Sequence, residues 1–126
     1  DNIAVSGGIA WATATLMHPE LIDNPVISIT FDELVKFNEK LGKNFSALSA
    51  DFLISNINNP EEKERVKAEI LRVHKVFDQK SLMSGAGLLW KIMRQFESAF
   101  ETKHFYLVKN GQVGWVSAYV DQSISN

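Results

Sequence analysis

Polar and apolar positions change period along the chain, and that change predicts most of its elements. From Thr30 onward the apolar residues Leu34, Phe37 and Leu41 recur at three- and four-residue spacing, which places them on one face of a helix. Thr30-Phe31-Asp32-Glu33 opens this helix as a capping box, in which the Thr30 hydroxyl accepts from the Glu33 amide and the Glu33 carboxylate accepts from the Thr30 amide. Gly42 is expected to end it. Asn59-Pro60-Glu61-Glu62 starts a longer helix with a capping Asn, a Pro suited to the first helical position and two carboxylates at the positive end of the dipole. Val66, Ile70, Val73 and Phe77 form its apolar stripe, and Arg65 is expected to pair with Glu61 and Glu69 on the solvated face until the helix stops near Asp78. Between these two, Ser46 or Ser49 caps a shorter helix carrying Leu48, Phe52, Leu53 and Ile57. After Lys80, Ser81 or Ser84 caps a further helix with Leu88, Leu89, Ile92, Met93, Phe96 and Phe100 on a broad apolar stripe, and the two last helices are expected to form a hairpin.

The pattern is poorer at the start. Gly7-Gly8 interrupts the run from Ile3 to Leu16, where Ile9, Ala12 and Leu16 fit one face of a short helix. His18-Pro19 and Asn24-Pro25 make the next stretch a connection, and Val26 to Ile29 reads as a short strand. Beyond Thr102 the period drops to about two. Phe105 to Lys109 and Gln112 to Val120 then flank Asn110-Gly111, the pair preferred where both turn residues need positive φ. The elements together predict an α+β fold in one domain spanning residues 1–126. It is mostly helical, with four to five helices and a C-terminal antiparallel β-hairpin packed on them.

A two-residue turn pairs Val108 with Val113, Tyr106 with Trp115 and Phe105 with Val116, so the hairpin carries Tyr106, Val108, Val113, Trp115 and Tyr119 on one side. Phe105, Leu107, Val116, Ala118 and Val120 lie on the other. Both faces are apolar, so both need a cover. Either the N-terminal segment or the strand at 26–29 folds over the second face as core, or Tyr106, Trp115 and Tyr119 meet a ligand, a second subunit or a protein partner. The run from Val108 to Val120, with Gly111 in the turn, then Gly114-Trp115-Val116, then Tyr119-Val120, resembles the closing hairpin of bacterial SH3-like domains. The resemblance covers about a tenth of the chain. The capped helices before it depart from that family, whose barrel needs several strands, and no ligand is carried across.

Composition narrows the partners. Thirteen Lys and Arg against fifteen Asp and Glu leave a net charge of −2, which gives no overall positive field to attract a phosphate backbone, so nucleic acid is not expected. No apolar run approaches the ~20 residues of a membrane span. With no cysteine, thiol nucleophiles, thiolate zinc sites and disulfides are excluded. The chain opens at Asp1 rather than Met, which points to a leader removed on export or to a trimmed chain.

Chemistry-bearing residues are scattered. His18, His74 and His104 form no His-x-x-x-His pair, and the His-x-Glu at His18-Pro19-Glu20 lacks the cysteines that complete a deaminase zinc site. His74 and Asp78 are placed as a solvated pair near a helix C-terminus. Ser84-Gly85-Ala86-Gly87 lacks the Gly-Lys-Ser/Thr ending of a phosphate loop and is expected to let the two helices approach closely or to start the second one. Glu97 and Glu101 form a polar face rather than a carboxylate pair of unequal acidity. No catalytic, cofactor-binding or metal-ligating set is therefore expected. The sequence points to a non-catalytic binding or interaction domain, of the kind found among exported bacterial inhibitors, immunity and accessory proteins, acting on a protein partner or a second copy through the hairpin face. The alternative is a small enzyme or ligand-binding domain whose site assembles only in three dimensions. A cleft holding a histidine beside an acid would favour that alternative.

Overall fold

The computed structural model describes residues 2–99 and 104–109. Within them the order is β1 (Asn2–Ser6), α1 (Gly8–Met17), β2 (Val26–Ile29), α2 (Phe31–Lys43), α3 (Ala50–Leu53), α4 (Pro60–Val76), α5 (Gln79–Ala99) and β3 (His104–Val108), with 3-10 turns at Pro19–Leu21 and Phe45–Leu48. The protein is mostly helical, with a small mixed sheet of three strands.

Where caps and periodicity were strong, the helices stand where they were expected. The Thr30 hydroxyl and the Glu33 carboxylate exchange both hydrogen bonds of the capping box at 3.1 Å. Asn59 Oδ1 accepts from the Glu62 amide at 3.0 Å, and Val66, Ile70 and Val73 of α4 are wholly buried. Ser49 caps α3 through the Phe52 amide, but that helix is one turn long and leaves Phe52 exposed.

Three helix details differ. Gly42 does not end α2, which runs one residue past it and stops at Asn44 (φ −147°); Gly42 lies beside α5 instead, where an added Cβ would touch Met83. Helix α5 starts before either serine because Asp78 Oδ1 accepts from the Ser81 amide at 2.8 Å. That bond holds the Asp78 carboxyl below its ordinary range. The buried stripe of α5 is Leu82, Ala86, Leu89 and Met93, while Leu88 is exposed. Gly85 lies beside this stripe. It abuts the Ile9 side chain so closely that any Cβ there would collide with it. The small residues do permit a close approach, but to α1 rather than α4, and α5 packs chiefly on α2 and α1.

The start of the chain carries the largest correction. Residues 2–6 are a strand rather than the beginning of a helix. Gly7 then turns the chain at φ 111°, ψ −176°, a conformation essentially confined to glycine. Every residue of α1 from Ala10 to Leu16 is buried, so the helix is enclosed on all sides. A helix without a polar face has no amphipathic period to detect.

β3 is the central strand, parallel to β1 and antiparallel to β2. The N-terminal segment and the strand at 26–29 therefore extend the sheet edge to edge instead of folding over its second face. Backbone groups on both edges of a buried strand need partners, and the two flanking strands supply them. The turn at Asn110-Gly111 and the returning strand at 112–120 lie outside the described residues.

Candidate functional site

Strand register sorts the sheet into two faces. Ile3, Phe105 and Ile29 align across it, as do Val5, Leu107 and Ile27, and these side chains pack against the helices. On the opposite side Ala4, Tyr106 and Ser28 form one row and Ser6, Val108 and Val26 the next. This outer face is graded. Val108 is 1% exposed, Tyr106 is half-buried, and Val26 and Ser28 are exposed. The split between Phe105 with Leu107 and Tyr106 with Val108 is the one the alternation predicts. Of the three residues expected to meet a partner, Tyr106 is on the outer face, and Trp115 and Tyr119 lie outside the described residues.

The histidines end in three environments. His18 Nε2 is 2.6 Å from Glu33 Oε2, and Nδ1 is 3.3 Å from Glu20 Oε2. A histidine beside an acid is thus present. Both ring nitrogens face carboxylate oxygens, Glu33 at close hydrogen-bond distance and Glu20 in a longer, exposed contact. Glu33 uses its other oxygen in the capping box, so the contact braces the C-terminus of α1 against the N-terminus of α2. His74 does not pair with Asp78. Its Nε2 donates to the Leu48 carbonyl at 2.7 Å, and Phe45 meets the ring edge-on at 5.6 Å. His104 is exposed at the edge of the described segment.

Other polar expectations are rearranged by tertiary contacts. Arg65 bonds Asp23 of the connection at 19–25, and Glu69 bonds Arg72 at 2.7 Å. Arg72 also sits 5.3 Å above the Trp11 ring. Ser84 to Gly87 lie inside α5, where their amides belong to the helix, so they form no anion cradle. The side chains of Glu97 and Glu101 are outside the described residues. Among the described residues no group of three or more His, Asp or Glu side chains could hold a metal ion, and no helix is long and apolar enough to cross a membrane.

Lys109 is the residue that sequence reasoning missed. It is 7% exposed, its amide donates to Pro25 O at 2.9 Å, and its ammonium donates to Leu21 O at 2.9 Å and Ile22 O at 3.3 Å. Burial pushes the amine below its ordinary range, against the opposing pull of the Glu69, Asp23 and Glu20 carboxylates. Lys109 thereby straps the end of β3 to the connection at 19–25. A lysine directly after the apolar run Phe105–Val108 is the only local hint, because its partners lie 87 and 88 residues earlier.

The described surface holds a cavity of about 410 Å³ between the 45–51 segment and α4, lined by Phe45, Ser49, Asp51, Lys67, Leu71 and His74 among others. A second hollow of about 420 Å³ runs between α2 and α5, past Val35, Gly42, Gly87 and Trp90. Comparison with protein families, with curated proteins and with solved structures finds no match to the chain.

Proposed function

We propose that this chain is a non-catalytic binding domain that recognises a protein partner through the sheet face turned away from the helices. Exported bacterial inhibitors, immunity proteins and accessory proteins are the kind of molecule this reading describes. The observation that carries it is the position of Tyr106: half-buried on the central strand, on the side opposite the helices, and level with exposed Ser28. Tyrosine offers apolar area and a hydroxyl together, a combination favoured in recognition surfaces.

A Trp115→Ala, Tyr119→Ala double variant tests the reading. It should melt as the parent does and lose a partner captured by the parent from cells. Unfolding of the variant would assign those aromatics to the core and end the proposal. Gel filtration of the parent separates a foreign partner from a second copy of the chain. The ligand-binding alternative is favoured by one observation, the polar and apolar cavity beside His74.

A further inference from the structure

We propose that the cavity between the 45–51 segment and α4 binds a small organic carboxylate with an apolar body, independently of the sheet face. Its volume of about 410 Å³ lies within the range of small-molecule sites. The lining divides by chemistry. Phe45, Ala50 and Leu71 give an apolar wall, and Leu71 is a half-exposed leucine that a ligand would shield from water. Ser46, Ser49, Lys67 and His74 supply polar groups around it.

Two of these side chains define the ligand. Lys67 Nζ stands 3.7 Å from Asp51 Oδ1, which is an ion pair but too long for a hydrogen bond. The Asp51 side chain is 89% exposed, so solvent screens the pair and its attraction is small. A ligand carboxylate entering the cavity can approach the ammonium to charge-assisted hydrogen-bond distance, a closer contact than exposed Asp51 makes. His74 is set in one orientation, with Nε2–H on the Leu48 carbonyl and the Phe45 edge against its ring. The arrangement selects charge at one end and apolar area behind it. The Ser49 hydroxyl accepts from the Phe52 amide and the Ser46 hydroxyl donates to Asn44 Oδ1, so both serines are also engaged in local structure.

The test is a two-dimensional NMR titration of the full chain with 4-hydroxybenzoate and hexanoate, using hexanol as the uncharged control and inorganic phosphate as the anion without a body. Both carboxylates should shift the amides of residues 45–51, 67, 71 and 74 saturably. Lys67→Met should weaken binding roughly tenfold while Lys67→Arg restores it, and Leu71→Ser should weaken hexanoate without creating phosphate binding. Folding is monitored by the unchanged remainder of each spectrum. No saturable shift at millimolar carboxylate would overturn the proposal. Equal binding of phosphate or hexanol, or indifference to Lys67→Met, would do the same. None of these results bears on the sheet face, whose variants are separate.

Discussion

The two faces of the sheet are built from alternate residues of the same strands, yet they answer to different constraints. The inner face is apolar at every position across three strands, and its central residues Phe105, Leu107, Ile27 and Ile29 are all 5% exposed or less. The outer face mixes Ala4, Ser6, Val26, Ser28, Tyr106 and Val108 with exposures from buried to open. The inner face is specified by folding alone, because any polar residue there would be desolvated without a partner. Folding asks less of the outer face at Val26, Ser28 and Tyr106 than at Val108, which is 1% exposed, and this leaves those three positions open to recognition.

Substitutions on either side should break the symmetry of that comparison. Leu107→Ala empties a site 1% exposed beneath the helices and should lower the unfolding free energy by about 2–5 kcal/mol in urea titration. Tyr106→Ala, one residue away on the same strand, should cost less, about 1–2 kcal/mol, since its side chain is only partly buried. A larger loss at Tyr106 than at Leu107 would invert the two faces. Lys109 sharpens the comparison through pH. Its folded-state amine is held below the ordinary value of 10.5, so the penalty for burying charge is present below the folded value and is relieved as pH rises towards 10.5. The stability difference between the parent and Lys109→Met should therefore move in the parent's favour over that alkaline window, as followed by thermal melts. A difference independent of pH would mean the ammonium is solvated. Ser28→Thr, at an exposed outer position, should change stability by no more than about 0.5 kcal/mol.

What the sequence disclosed follows the locality of each signal. The caps at Thr30, Ser49 and Asn59 involve residues three apart; those at Thr30 and Asn59 are readable outright, and Ser49 is one of two candidates with Ser46. The enclosed helix α1 was nearly invisible because Ala10 to Leu16 present no polar side, and the strand before it was lost behind the expectation of a helix. Pairing of β3 with β1 joins residues about a hundred positions apart, so the Asn-Gly signal drew attention to the local partner and away from the distant ones. The alternation along β3 separates Tyr106 and Val108 from Phe105 and Leu107, as the strand register does. The His18 brace, the His74 contact with Leu48 and the Lys109 strap all depend on loops whose course no periodicity encodes.

The central claim, that the outer face is a recognition surface, is tested most directly by photo-crosslinking in cells. Benzoylphenylalanine at position 28, on the exposed outer edge, is compared with the same group at position 64 on the exposed side of α4. The account predicts a discrete adduct of another protein from position 28 and none from position 64. Equal labelling from both positions, or labelling from 64 alone, would contradict it.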